Sequence, residues 1–285
     1  MSEVVLPGSL SELWRCFEER PQATVYAGGT DLLVGLRNGM VNPEALICLD
    51  RIEELKEVVE YDDSIRIGSC ATHAQLLDDP LIKSHLPVLW QAIKVIGSPL
   101  IRNMGTIGGN ICTASPAGDT LPPLHALKAE VELQSKKGVR RMPIRDFITG
   151  PGATRLQPAE VLACVRVKKP IEYNLHHFEK VGLRNALACS VVSMAALLRL
   201  APDGVVEKAS FAWGSAGPTI VQCPEAEKAL IGEHLSTGSL QKAAAPARTA
   251  VCPISDVRAD ADYRRTVAGN LLLRLLQFAV FSEMG

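Results

Sequence analysis

No stretch of this 285-residue chain stays apolar over the roughly 18 residues that a membrane-spanning helix needs, so no membrane span is expected. Charge of one sign is equally lacking: 30 Lys and Arg stand against 31 Asp and Glu, for a net charge of −1. There is no basic stripe and no basic patch interleaved with aromatics, so no nucleic-acid partner is expected. The first residues, Met1-Ser2-Glu3-Val4-Val5, lack a basic segment followed by an apolar run, and a cytoplasmic location is expected. Internal repeats and low-complexity segments are missing. Close cysteine pairs are missing too. The eight cysteines (Cys16, Cys48, Cys70, Cys112, Cys164, Cys189, Cys223 and Cys252) are scattered, whereas zinc and iron–sulfur ligands usually come with at least one short spacing. They read as reduced thiols, mostly in the core. The histidines form no nucleophile–His–acid set. Only His176 and His177 are neighbours, and adjacent residues of a strand face opposite ways. No catalytic residue and no metal site is expected in this chain.

What the chain does have is two glycine-rich stretches. One is Ala27-Gly28-Gly29-Thr30-Asp31-Leu32-Leu33; the other runs from Gly105-Thr106-Ile107-Gly108-Gly109-Asn110 through Cys112-Thr113-Ala114-Ser115-Pro116 to Gly118-Asp119. Glycine has no Cβ, so its N–H can approach an anion closely and its backbone can turn to positive φ. Successive N–H groups in such a turn form a nest for phosphate. Taken alone, the first stretch reads equally as a tight strand-to-helix turn without a ligand. Two such stretches, with hydroxyls and an acid between them, suggest a clamped dinucleotide.

The surrounding pattern places these stretches. Ser9-x-x-Glu12 reads as a capping box, and Leu10, Leu13, Trp14 and Phe17 follow at helical spacing. Thr24–Ala27 is a short strand entering the first stretch, and Leu32–Arg37 a short helix stopped at Asn38-Gly39. Ala45–Leu49 reads as a buried strand. Asp62-Asp63-Ser64 and Lys136-Lys137-Gly138 read as hairpin turns, and Thr72-x-x-Gln75 as a second capping box. Leu86–Ile96 carries a helical apolar stripe, and Val161–Val167 a strand. Composition shifts near Lys168-Lys169-Pro170. Beyond it, Ala188–Leu200 and Val205–Trp213 read as strands, two polar helices follow, and Tyr263–Met284 reads as one long helix. The fold class is α+β, with strands paired largely by hairpins. At this length the chain holds two domains, each with its own core.

The second stretch, Thr106-Ile107-Gly108-Gly109-Asn110-x-x-x-Ala114-Ser115-Pro116-x-x-Asp119, closely resembles a flavin-binding motif of the FAD subunit of molybdenum-containing hydroxylases. That family includes xanthine dehydrogenase, nicotinate dehydrogenase and the medium subunit of carbon monoxide dehydrogenase. The resemblance covers nearly the whole chain, including Phe178–Ala196 and the helix after Asp260. It implies a two-subdomain FAD-binding fold of the PCMH type at 1–172 (subdomains about 1–56 and 57–172), followed by a smaller α+β C-terminal domain at 173–285. One family branch, resembling 4-hydroxybenzoyl-CoA reductase, carries an inserted loop with cluster ligands; this sequence lacks that insertion.

The resemblance also implies site residues. Val25, Tyr26, Ala27, Gly28, Gly29, Thr30, Asp31 and Leu32 lie along the cofactor, with consecutive N–H donors at the pyrophosphate. Asp31, a carboxylate near phosphate, is expected to turn back and cap the loop or the next helix. Gly105, Thr106, Gly109, Asn110 and Thr113 match positions near pyrophosphate and ribityl. Gly118 and Asp119 match positions at the ribityl hydroxyls, though Asp119 also reads as the N-cap of a helix starting near Thr120. Ile96 and Ile101 line the cavity, and Cys112 packs near the flavin. Leu162 matches an adenine contact or is simply strand core. Lys180, or Glu179 by a one-residue slip, approaches the isoalloxazine, where a cation stabilises the reduced anionic ring. Arg184 belongs to the same loop, and both basic residues read equally as solvated surface charges. Implied partners are a large subunit binding the molybdenum cofactor, a small subunit with two [2Fe–2S] clusters, and NAD or another electron acceptor. Two other readings stay open: a stand-alone FAD oxidoreductase resembling UDP-N-acetylenolpyruvoylglucosamine reductase, and a flavin-free assembly subunit.

Overall fold

The structure, a computed structural model, describes residues 3–184 and 188–279. Contacts divide the chain into two units, each drawn from three segments. The first comprises Met1–Lys83, Ile96–Ala114 and Ala129–Lys168; the second comprises Ser84–Val95, Ser115–Lys128 and Lys169–Gly285.

In the first unit, strands Glu3–Val5 and Thr24–Tyr26 flank Ala45–Cys48, and both pairings are parallel. Hairpins cannot make this sheet, which corrects the expectation for this part of the chain. Parallel neighbours need crossovers, and helices Leu10–Glu19 and Leu32–Arg37 supply them. Three-residue strands are too short to show a period, which is why the pairing mode was not legible. Leu13, Cys16 and Phe17 of the first helix pack with Ile47, Leu49 and Ile52. Ser9 caps that helix by accepting from the Glu12 N–H at 3.3 Å. The Glu12 carboxylate, however, accepts from Gly8 N–H at 2.7 Å, so the expected capping box is only half made. The box at Thr72 and Gln75 is complete, and it opens helix His73–Asp78.

The other main sheet of this unit is antiparallel, in the order Val58–Glu60, Ser64–Gly68, Glu160–Lys168, Glu130–Ser135, Gly138–Pro143. Both expected hairpins are present in it. Its central strand, Glu160–Lys168, is buried over most of its length, as a strand paired on both sides should be.

In the second unit, strands Leu175–Val181, Val192–Leu200 and Val206–Gly214 form an antiparallel meander. Helices Thr237–Ala250 and Ala261–Leu273 share its core, where Trp213 donates its indole N–H to Ala268 O at 3.0 Å. The long helix expected over Tyr263–Met284 begins earlier, behind an Asp260 N-cap, and stops at Leu273. A turn at Arg274 and Leu275 follows, then the short helix Leu276–Ala279. The turn buries Leu275 and lets Arg274 reach Glu179. The last part of that expectation falls outside the described residues. No helix among the described residues is long and apolar enough to cross a membrane.

Candidate functional site

The first glycine stretch leaves strand Thr24–Tyr26 and enters helix Leu32–Arg37 through Gly29, whose φ is +69°. Leu33 and Val34 N–H donate to Gly29 O and Asp31 O. Among the described residues, the N–H groups of Gly28, Gly29, Thr30 and Asp31 donate to no loop carbonyl. Four successive donors therefore remain available at one turn. Asp31 sits at the N-cap position but makes no side-chain cap. Its carboxylate accepts instead from Thr113 Oγ1 at 3.3 Å, which corrects the expected capping role.

The second stretch is not an open loop. His73 N–H donates to Gly105 O, Ile107 N–H to Ala71 O and Gly108 N–H to Ser69 O, so the strand–helix corner at 69–73 holds it in place. Thr106 Oγ1 then accepts from Gly109 N–H at 3.0 Å and caps helix Ile107–Thr113. The two stretches touch through their backbones. A Cβ on Gly28 would lie 1.6 Å from Met104 O, and one on Gly105 would lie 3.5 Å from Thr30 Oγ1. A Cβ on Gly108 would lie 2.5 Å from Ser69 Cβ. Gly28 and Gly108 are thus required by packing, Gly29 by its dihedral. By contrast, a Cβ on Gly109 would approach only its own cap oxygen, at 3.0 Å. That glycine is exposed.

Around this crossing, Val25, Tyr26 and Ala27 are half-buried and Leu32 flanks the turn. Burial and a hydrogen bond with Cys48 push the Tyr26 phenol up to about 12. Ile96 is buried and Ile101 exposed, on either side of Gly97. Arg102 Nη1 donates to Ile96 O at 2.8 Å and to Gly97 O at 3.3 Å, fixing that turn. Burial pushes the Cys112 thiol up to about 12, which denies it thiolate chemistry and fits a packing role. Leu162 is buried in the central strand opposite Leu133.

The sequence reading did not single out His73. It is buried beside Gly105, and its Nδ1 has no hydrogen-bond partner among the described residues. Desolvation, followed by the Arg102 charge, lowers its pKa from 6.5 to about 4. The unfolded chain therefore binds this proton more tightly. The corresponding stability is present above pH 6.5 and is lost as pH falls towards 4. The expected difference is about 3 kcal/mol between pH 7 and pH 4. Denaturant unfolding of wild type and His73→Leu at both pH values measures it; equal acid sensitivity in the two proteins would contradict the assignment.

In the second unit, Asp119 is buried at the start of the segment leading to helix Leu121–Ala126. The helix N-cap is Thr120, and Asp119 does not cap it. Its Oδ2 accepts from Lys180 Nζ at 2.6 Å and its Oδ1 from Ser190 Oγ at 2.5 Å. Lys180 Nζ also donates to Val95 O at 3.2 Å. Burial raises the Asp119 pKa against the opposing pull of Lys180 and Ser190. Gly118 closes a turn onto Ser115 O, and a Cβ there would lie 3.1 Å from Leu121 Cδ1. Glu179 faces away from Lys180 along its strand and pairs with His177 Nε2 and Arg274 Nε. Ser190 was invisible as a partner, because nothing local ties it to Asp119.

A family profile described as the FAD binding domain in molybdopterin dehydrogenase matches residues 1–170. The chain belongs to this family. The carbon monoxide dehydrogenase flavoprotein C-terminal domain matches residues 177–279. The xanthine dehydrogenase FAD-binding subunit of Escherichia coli O157:H7 is 32% identical over 280 residues, covering 97% of this chain and 95% of that protein. The nicotinate dehydrogenase FAD-subunit of Eubacterium barkeri is 33% identical over 245 residues, covering 84% and 82%. A carbon monoxide dehydrogenase structure from Hydrogenophaga pseudoflava superposes with TM-score 0.92 at 30% identity, covering 99% of this chain and 98% of that one. The chain is thus an FAD-binding oxidoreductase subunit of the molybdenum hydroxylase family, with its α+β, two-part fold.

The residues present fit FAD. The nest at Gly28–Asp31 offers unspent donors to a diphosphate, and the backbone of the flavin-family motif closes against it at Met104 and Gly105. Gly109 is exposed, which leaves room for close approach.

Proposed function

We propose that this chain collects electrons within a molybdenum hydroxylase complex most like xanthine dehydrogenase. Its companions in this reading are a large subunit binding the molybdenum cofactor and a small subunit with two [2Fe–2S] clusters. NAD or another acceptor takes the electrons onward. Bound FAD supplies the exchange between one-electron and two-electron chemistry. The chain's own residues bind and orient it. The N–H groups of Gly28–Leu32 would meet the diphosphate, with Thr106, Gly109, Asn110 and Thr113 beside them. Ile96 and Ile101 would bound the ring, and Leu162 the adenine side. In the second unit, Lys180 would supply a cation held by Asp119.

The observation that carries the reading is the backbone crossing of the two glycine stretches, which sets the free N–H donors of Gly28–Asp31 beside the flavin-family motif. Eight free thiols support a reducing compartment, the cytoplasm. The stand-alone reading differs in one measurable way: it requires no companion chains.

The test is Gly29→Val. A branched side chain at φ +69° costs about 1–2 kcal/mol and blocks the approach to the N–H nest. The variant should purify folded but without flavin absorption. Full flavin occupancy would show that the first turn is misassigned. The isolated wild-type chain should hydroxylate no purine or other heterocycle.

A further inference from the structure

We propose that Arg264, on helix Ala261–Leu273, is a positioning residue for the flavin: its buried guanidinium aims the Lys180 ammonium by fixing the chain segments that frame Asp119. This rests on the reading of Lys180 as the cation for the reduced ring, and it names the residue that sets that cation.

Arg264 is 2% exposed. Its Nη1 donates to Val191 O at 2.9 Å and to Ser215 O at 3.2 Å, and its Nη2 to Asp256 Oδ1 at 2.7 Å. Each carbonyl leads to the Asp119–Lys180 pair by its own route. Val191 N–H donates to Val181 O at 2.7 Å, so Val191 is tied on one side to Arg264 and on the other to the residue after Lys180. Its other chain neighbour, Ser190, donates Oγ to Asp119 Oδ1 at 2.5 Å. Ser215 N–H donates to Pro116 O at 2.8 Å, inside the turn that Gly118 closes ahead of Asp119. A Cβ on the adjoining Gly214 would lie 2.9 Å from Pro122 Cγ, so the same strand end also packs on the segment after Asp119. The guanidinium therefore holds the bases of the segments that carry Lys180, Ser190 and Asp119.

Two features favour positioning over stability alone. A buried guanidinium is a weak stabiliser, because desolvation offsets the attraction of its partner. Here Nε has no hydrogen-bond partner among the described residues, so the desolvation is only partly compensated. The second feature is Ser215, which holds φ +57°, a left-handed conformation unfavourable for a residue with a Cβ. Its hydroxyl has no partner among the described residues, so the conformation serves the backbone contacts to Arg264 and Pro116. Such strain persists only where the surroundings over-determine it, and it gathers at functional sites. The planar fork of arginine reaches two carbonyls and a carboxylate at once. A lysine ammonium is a point donor on a flexible stem and cannot span them.

The experiment uses the full chain loaded with FAD. Reductive titration measures the flavin midpoint potential, alongside FAD per chain and unfolding by denaturant. Arg264→Lys keeps the charge and loses the fork. It should weaken the preference for reduced over oxidised flavin on the order of tenfold, a shift of about 30 mV to more negative potential for a two-electron couple. Asp256→Ala is the milder variant, because it alters a partly exposed residue and frees only the Nη2 end of the fork. Its shift should have the same sign and be smaller, and it carries the test if Arg264→Lys does not fold. A control, Leu240→Ala, hollows the core beneath helix Thr237–Ala250; it should lower stability and leave the potential in place. In a Lys180→Gln background, Arg264→Lys should shift the potential no further. An unchanged potential in the folded variants, an equal shift in Leu240→Ala, or an undiminished shift in the Lys180→Gln background overturns the positioning role alone. A Lys180→Gln chain with the wild-type potential overturns the reading of Lys180 as the flavin's cation, and this proposal with it.

Discussion

Gly28→Ala should produce a chain that retains its antiparallel sheets and loses FAD. The added Cβ would lie 1.6 Å from Met104 O and 2.4 Å from Met104 C, and backbone atoms cannot swing aside as a side chain can. The two glycine stretches must separate. The Asp31–Thr113 hydrogen bond then lengthens, and the donor nest loses its opposing wall. Overpacking of this kind costs about 1–3 kcal/mol. Flavin occupancy by absorption and unfolding by denaturant should therefore both fall in this one-methyl variant. Gly29→Ala is the informative comparison. A Cβ at Gly29 meets nothing closer than 3.4 Å, so it adds mainly the dihedral cost. If Gly28→Ala binds FAD as well as Gly29→Ala does, the backbone crossing has no role in holding the cofactor.

Asp119→Ala should strongly destabilise the second unit. It removes the carboxylate from a buried pair and leaves the Lys180 ammonium with only Val95 O. An uncompensated buried charge typically costs about 3–5 kcal/mol. Ser190 Oγ loses its acceptor as well. Asp119→Ala combined with Lys180→Met removes both charges and should recover much of that loss. A double-mutant cycle by denaturant unfolding measures the coupling. If Asp119 serves the cofactor more than the fold, FAD affinity should fall while stability holds, and the double variant should recover nothing.

Legibility in the sequence followed the range of each interaction. The Thr72–Gln75 capping box, the hairpins at Asp62-Asp63-Ser64 and Lys136-Lys137-Gly138, and the stop of a helix at Asn38-Gly39 depend on residues within a few positions of each other. All were readable. The parallel sheet around Ala45–Cys48 was not, because pairing mode is set by strands brought together over long separations. The Asp31 side chain read as a local cap, but its backbone is helical there and a threonine 82 residues away took it instead.

The sequence by itself determined the family, the α+β class and the two glycine stretches, because motif chemistry and positive-φ turns are local properties. Tertiary structure alone decided which glycines are compelled by packing. Gly28 answers to Met104 and Gly108 to Ser69, and no local pattern announces either contact. It also decided the role of Asp119. Lys180 and Ser190 lie 61 and 71 residues further along the chain, and only folding removes them from water and sets them against one carboxylate. Burial then raises the stakes of each pairing, since a charge that water would screen on an open chain must here be matched by a named neighbour.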